Sequence, residues 1–158
     1  MKKKIILFLS AFTMAVLLSG CGEDPEITKF ENDIQAFCDE VTAIDANINN
    51  IDADSENATN ELLGYLDQLE QSFKVLSQLS IPEEYAYLEE LTTDASSYMT
   101  TAVSSYHDAF EGDSYDAATA EYARENYERA YKRITVMLKL LRGDEITEEG
   151  VVITHGDQ

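Results

Sequence analysis

Residues 25–51 have the sequence PEITKFENDIQAFCDEVTAIDANINNI, in which apolar side chains recur in alternating steps of three and four. They are Ile27, Phe30, Ile34, Phe37, Val41, Ile44, Ile48 and Ile51. This heptad spacing, the pattern of a coiled coil, is typical of an α-helix with one apolar face. Asp24 and Pro25 suit the N-cap and the first helical position. We therefore expect a first helix over 25–53, and its apolar face needs other helices to cover it.

Three further segments show helical spacing and are bounded by residues that interrupt helices. The expected helices cover 55–79, 82–111 and 114–142. The interruptions are Asp52-Ala53-Asp54-Ser55, Ser80-Ile81-Pro82, Gly112-Asp113-Ser114 and finally Gly143. Joints this short place consecutive helices antiparallel. The sequence therefore predicts an all-α domain over 25–143, an antiparallel up-down-up-down four-helix bundle.

The segment before the bundle has the layout of a secretory signal. Lys2, Lys3 and Lys4 precede an apolar run over 5–18, which is too short for a comfortable membrane span. The run ends in Leu18-Ser19-Gly20-Cys21, which resembles the lipobox of bacterial lipoproteins.

This resemblance implies a cleaved signal peptide over 1–20 and a lipidated Cys21, carrying diacylglyceryl and fatty acyl chains such as palmitate. Residues 21–24 would then be a short tether, and the protein would sit on the extracytoplasmic side of a bacterial membrane. Two or more acyl chains hold a protein firmly to a bilayer. The alternative is an ordinary secreted protein with a chance cysteine.

The chain is strongly acidic, with a formal charge of −20 at pH 7. This charge argues against nucleic acid as a partner and against lying flat on anionic lipid, while it permits cations or basic proteins. If Cys21 is lipidated, Cys38 is the only other cysteine and no internal disulfide can form. Because Cys38 follows Phe37 in an apolar helical pattern, we expect it to pack as a small hydrophobe; a reactive thiol is the alternative.

Basic side chains are concentrated in the fourth helix. They are Arg124, Arg129, Lys132, Arg133, Lys139 and Arg142. We expect them to face the acid-rich start of the first helix, and attraction to lipid headgroups is the alternative. The end of the bundle away from Cys21 is then almost purely acidic. Its carboxylates are Asp45, Asp52, Asp54, Glu56, Asp108, Glu111, Asp113 and Asp116. This acidic end is the candidate surface for a protein partner or a divalent cation.

Motifs for catalysis and for cofactors do not emerge from the sequence. Asp52, Asp54 and Glu56 begin like a calcium-binding EF-hand loop, but Asn57 replaces the required glycine and Leu63 the final glutamate. His107 and Asp108 are helical neighbours and do not face each other. We therefore predict no catalytic, metal-binding or cofactor-binding residue, and Cys21 as the one site residue.

Tyrosines are frequent in the third and fourth helices. They are Tyr85, Tyr87, Tyr98, Tyr106, Tyr115, Tyr122, Tyr127 and Tyr131. We expect most of them to pack in the core with a hydrated hydroxyl, and a ligand pocket is the alternative.

The layout, including Ile81-Pro82-Glu83-Glu84-Tyr85 at the second joint, is similar to small helical lipoproteins of uncharacterised function. We predict a non-enzymatic, lipid-anchored interaction or envelope accessory module. The alternative is a cation- or small-ligand-binding lipoprotein that acts with a membrane transporter. The acidic tail over 144–158 contains the short apolar run Val151-Val152-Ile153, which either docks on the bundle or stays unstructured.

Overall fold

The computed structural model of the protein describes residues 24–111 and 114–143. These residues form a bundle of four α-helices: α1 (Pro25–Asn49), α2 (Ala58–Leu76), α3 (Glu89–Glu111) and α4 (Ala117–Leu141). A 3-10 helix, Glu83–Leu88, leads directly into α3. The all-helical class and the bundle are therefore confirmed for the described part of the chain.

The apolar stripe of α1 forms one wall of the core. Six of its eight members are buried, and Ile27 and Ile51 at its two ends are half-buried. The ring of Phe37 meets that of Phe73 on α2 edge to face, with ring centroids 5.2 Å apart. Burying one such side chain contributes about 1.5–3 kcal/mol, so the stripe is the main term that holds α1 to the bundle.

Alanines line the contact between α3 and α4, the most extensive contact between helices of the described bundle. Ala95, Ala102 and Ala109 on α3, and Ala123 and Ala130 on α4, are completely buried. Small side chains at a helix interface let the two axes come closer together than bulky ones do. The larger side chains of α1 and α2 fill the wider space on the other side of the core.

The first helix begins as expected and ends earlier than expected. The Asp24 carboxylate accepts a hydrogen bond of 2.9 Å from the Glu26 backbone N–H, which confirms the predicted N-cap. The helix ends at Asn49 rather than at 53. Beyond it, the Asp52 carboxylate accepts from the backbone N–H of Asp54, and the Ser55 hydroxyl from that of Asn57. Such local bonds compete with helical ones, so α2 starts only at Ala58 rather than at 55.

The third helix starts differently from the prediction. Pro82 does not open an α-helix; it precedes the 3-10 helix, with ψ at 150°. Residues three apart eclipse each other in a 3-10 helix. Pro82 and Leu88 are buried and Tyr85 is half-buried, so this period of three turns all three toward the core. The Tyr85 ring stacks on Phe30 of α1, with centroids 5.5 Å apart.

Both ends of α4 follow helix-capping chemistry. The helix starts at Ala117 rather than at 114; Asp116 is its N-cap, and its carboxylate accepts from the backbone N–H groups of Ala118 and Thr119. Gly143 has a φ of +74°, a left-handed conformation that favours glycine, and it confirms the expected stop. The tail over 144–158, Gly112 and Asp113 lie outside the described residues.

Candidate functional site

A carboxylate lies inside the core between α1 and α4. Asp45 on α1 is only 5% exposed. The hydroxyl of Tyr127 donates to its Oδ1 at 3.1 Å, and that of Tyr131 lies 2.9 Å from Oδ1 and 3.0 Å from Oδ2. The two tyrosine rings stack with centroids 4.6 Å apart. We call these three residues the Asp45 cluster.

Burial dominates the electrostatics of the Asp45 cluster. It raises the pKa of Asp45, while the hydrogen bonds from Tyr131 and Tyr127 act to lower it. Burial also raises the pKa of both tyrosines well above the usual value, and the neighbouring carboxylate adds to this effect. The hydroxyls therefore stay protonated and keep donating. The arrangement satisfies a buried carboxylate and ties α1 to α4.

The expectation that Asp45 belongs to an acidic surface was therefore wrong. Asp45 comes four residues after Val41 and three before Ile48, so it lies on the buried side of the helix. That spacing was visible in the sequence and would have placed the carboxylate in the core. Because buried carboxylates need donors, it also pointed to hydroxyl-bearing residues on another helix.

The tyrosines of the Asp45 cluster pack in or against the core as expected, and their hydroxyls bond to the Asp45 carboxylate. Among the other tyrosines, Tyr106 is buried, and Tyr115 and Tyr122 are exposed by 42% and 51%. Tyr87 lines a shallow open depression of about 370 Å³ at the start of α3. Its other lining residues are Ala86, Glu89, Glu90, Thr93 and Asp94.

His107 lies between two carboxylates, one of which links α3 to α2. Its Nε2 lies 2.8 Å from Oδ1 of Asp67 on α2, and its Nδ1 lies 2.7 Å from Oε1 of Glu111 on its own helix. Ionised carboxylates only accept hydrogen bonds, so this geometry suits the doubly protonated ring. The hydrogen bond to Glu111 is the largest effect on the pKa of His107, and it raises this pKa. Burial lowers the pKa by less, and the contact with Asp67 raises it further. The sequence did not suggest the contact with Asp67, which is forty residues away, whereas the i, i+4 spacing of His107 and Glu111 was visible.

Cys38 is 2% exposed and belongs to the core cluster, which confirms the prediction that it packs as a hydrophobe. Burial, with a smaller effect from the negative charge of Asp39, raises the pKa of its thiol to about 11.

The remaining carboxylates of the predicted acidic end serve several structural roles. Glu111 bonds to His107, Asp116 caps α4, and Asp52 accepts from the backbone of the first joint. Asp54, Glu56 and Asp108 are exposed, and Asp113 lies outside the described residues. Within 24–111 and 114–143, no group of three or more His, Cys, Asp or Glu side chains is placed to hold a metal ion.

We had expected the basic residues of α4 to face the start of α1, but three of its arginines contact other residues. Arg124 pairs with Glu121 and Glu128, and Arg129 with Glu125 at 3.6 Å, all on α4 itself. Arg133 pairs with Asp94 on α3 at 3.2 Å. Arg133 and Arg129 also lie over the ring of Tyr98, at 5.7 Å and 6.0 Å from its centroid. The basic residues in the middle of α4 therefore hold α3 rather than α1.

The predicted lipidation site, Cys21, and the predicted signal peptide over 1–20 lie outside the described residues. In the part of the chain that the structure describes, no helix has the length and apolar character needed to cross a membrane. Comparison of the chain with models of known protein families, with curated proteins and with solved structures finds no match in any of the three.

Proposed function

We propose that this protein is a lipoprotein, anchored through Cys21 to the extracytoplasmic face of a bacterial membrane, and that its helical bundle is a non-enzymatic interaction module of the cell envelope. The observation that carries the proposal is the spacing between Cys21 and the first helix. Only Gly22 and Glu23 separate this cysteine from Asp24, the N-cap of α1. Three residue steps span at most about 10 Å, so a lipid on Cys21 would hold the bundle close to the bilayer.

We further propose that the helices run antiparallel, up-down-up-down. Two sets of contacts support this order. Phe37 in the middle of α1 contacts Phe73 near the end of α2, whereas Phe30, nearer the start of α1, contacts Tyr85, which follows α2. Later residues of the second segment therefore meet earlier residues of the first, as in antiparallel helices. In α3 and α4, Asp94 contacts Arg133, whereas Tyr98, four residues later, also meets the earlier Arg129.

In this arrangement the bundle has two poles. The anchored pole contains the start of α1, the joint over 77–82, the 3-10 helix and the end of α4. The far pole contains the joint over 50–57, the end of α3 and the start of α4. The far pole exposes carboxylates together with the rings of Tyr115 and Tyr122, and it points away from the membrane. Aromatic residues are enriched in protein interfaces, so we assign partner binding to the far pole, with Tyr115 and Tyr122 at its centre.

Labelling with a fatty acid tests the anchor. In cells that express the full chain, radiolabelled palmitate should enter the wild type and the Cys38→Ala control, but not Cys21→Ser. Cys21→Ser should also leave the membrane fraction. Labelling of Cys21→Ser, or its retention on membranes, would refute the lipoprotein proposal.

Crosslinking and melting test the role of the bundle. Crosslinking in cells from Tyr115 or Tyr122, replaced by a photoreactive amino acid, should capture an envelope protein, whereas the same replacement at Tyr87 should not.

Melting tests the alternative function, because ligand binding to the folded state raises stability. A higher melting temperature of the soluble domain with calcium, zinc, polyamines or haem would instead favour a ligand-binding lipoprotein that serves a transporter.

A further inference from the structure

The anchored pole carries aliphatic side chains that are only partly covered. Leu79 and Ile81 in the second joint and Leu140 and Leu141 at the end of α4 pack on the core cluster but remain partly exposed. Contact of this pole with another surface would remove more of their apolar area from water. In most proteins a helix end or a joint is instead closed by polar residues.

The proposed antiparallel order would place these two segments at the same end of the bundle. Arg133 of α4 pairs with Asp94, five residues after the start of α3. From Arg133, α4 continues for eight residues, or about 12 Å. In the antiparallel order it therefore ends beyond the first residue of α3, beside the 3-10 helix. Tyr85 in that 3-10 helix stacks on Phe30, in the second turn of α1.

Charges of both signs lie at this pole, and its cations come from the end of α4. The chain has no lysine or arginine between Lys74, near the end of α2, and Arg124. Lys139 and Arg142 lie in and just after the last turn of α4. The start of α1 adds the carboxylates of Asp24 and Glu26, so this pole has mixed charge, whereas the charged residues of the joint over 50–57 at the far pole are all acidic.

We infer that the anchored pole rests on the membrane itself: Leu79, Ile81, Leu140 and Leu141 contact the lipid headgroup layer, and Lys139 and Arg142 meet its phosphates. This inference rests on the proposed anchor at Cys21. The tether spans at most about 10 Å, so it would hold the anchored pole closer to lipid than any other part of the bundle. Aliphatic side chains edged by lysine and arginine are the composition that binds the interface of a bilayer. Glu83 and Glu84, exposed nearby, keep the contact at the headgroups and out of the hydrocarbon.

The protein offers a clean probe, because it contains no tryptophan. Ser80 in the second joint and Ser114 before α4 are both exposed serines, at opposite poles. The variants Ser80→Trp and Ser114→Trp would be made in the full chain, lipidated in a bacterial host and reconstituted into vesicles of phosphatidylcholine and phosphatidylglycerol. Some of the phosphatidylcholine is brominated near the headgroup, and bromine quenches tryptophan that touches the bilayer. Circular dichroism would verify that both variants fold.

Quenching should be several-fold stronger for Ser80→Trp than for Ser114→Trp. Equal quenching of the two, or stronger quenching of Ser114→Trp, would overturn the inference. Flotation with the vesicles separates it from the anchor: a chain that floats without quenching of Ser80→Trp refutes only the second contact, whereas a chain that does not float refutes both. Lys139→Glu with Arg142→Glu should weaken the quenching of Ser80→Trp without affecting flotation, and unchanged quenching would remove the two cations from the contact.

Discussion

The hydroxyl of Tyr131 on α4 lies within 3.0 Å of both carboxylate oxygens of Asp45 on α1, so one tyrosine spans the whole carboxylate. With Tyr127, it gives a buried acid two donors from a helix that lies more than eighty residues away in the chain.

Removal of this acid should therefore destabilise the bundle. Asp45→Ala leaves two buried hydroxyls without their acceptor, which costs about 1–3 kcal/mol per unsatisfied group. Urea denaturation of the soluble domain measures the loss. Asp39→Ala is the matched control, because Asp39 is an exposed aspartate on the same helix. Equal stability of the two variants would show that the Asp45 cluster contributes nothing.

The pH dependence of Asp45 has a definite sign. Burial raises the pKa of this carboxyl in the folded state, so folding favours its protonated form. Its contribution is present near the unfolded pKa of about 3.9 and is lost as pH rises through the higher folded pKa. The stability advantage of the wild type over Asp45→Asn should therefore shrink between pH 4 and pH 7. Urea melts of both proteins at several pH values measure this, and an advantage that grows with pH would contradict it.

The contact between His107, Asp67 and Glu111 predicts a second pH effect, in a higher range. The raised pKa of His107 means that its protonated form stabilises the fold; the effect is complete below the unfolded pKa of about 6.5 and is lost as pH rises through the folded pKa. The net effect should be within about 1 kcal/mol, as for other exposed pairs. NMR titration should show that Asp67→Asn lowers the pKa of His107. Asp108→Asn, which alters the next residue in the chain, should leave it nearly unchanged, and equal shifts would argue against the observed geometry.

Two glycines should respond to alanine in opposite directions. Gly143 has a φ of +74°, so Gly143→Ala forces a strained left-handed alanine and should cost about 1 kcal/mol. Gly64 lies inside α2, and nothing lies within 4 Å of the Cβ that alanine would add. Gly64→Ala should therefore stabilise the bundle by about 0.5–1 kcal/mol. Thermal melts of the two variants check the signs, and a shift in the same direction would disagree with the helix boundaries.

The buried thiol of Cys38 should react very slowly. A pKa near 11 leaves about one thiol in a thousand ionised at pH 8, and its burial blocks access as well. In the soluble domain with Cys21→Ser, Ellman's reagent should modify Cys38 only when urea unfolds the protein. Rapid modification of the folded domain would restore the alternative of a reactive thiol.

Much of the fold could be predicted because it depends on local sequence. The stripe from Phe30 to Ile48 determines the buried face of α1, and Asp24 and Gly143 mark helix ends through side-chain or backbone preferences. The errors at Ser55 and Pro82 arose where several capping residues compete over a few positions. Which of them caps the helix depends on tertiary contacts, such as the stacking of Tyr85 on Phe30.

The polar contacts were harder to predict, since each joins residues that are distant in the chain. Asp45 has the spacing of a core residue, but its charge suggested a surface position. Its tyrosine partners, and the Asp67 partner of His107, follow only from the placement of the helices. Three arginines of α4 were misplaced for a similar reason: Arg133 lies closer to α3, because buried alanines draw these two helices together.

The buried carboxylate also bears on the handedness of the bundle. Four helices of similar length could wind around their core in either of two mirror-related ways, and apolar stripes alone distinguish them poorly. The mirror arrangement would exchange the neighbours of α1, so that Asp45 would face α2 and lose the hydroxyls of Tyr127 and Tyr131. A buried acid deprived of its partners costs several kcal/mol. In the proposed up-down-up-down order, a single aspartate would thereby favour one hand of the bundle over its mirror image.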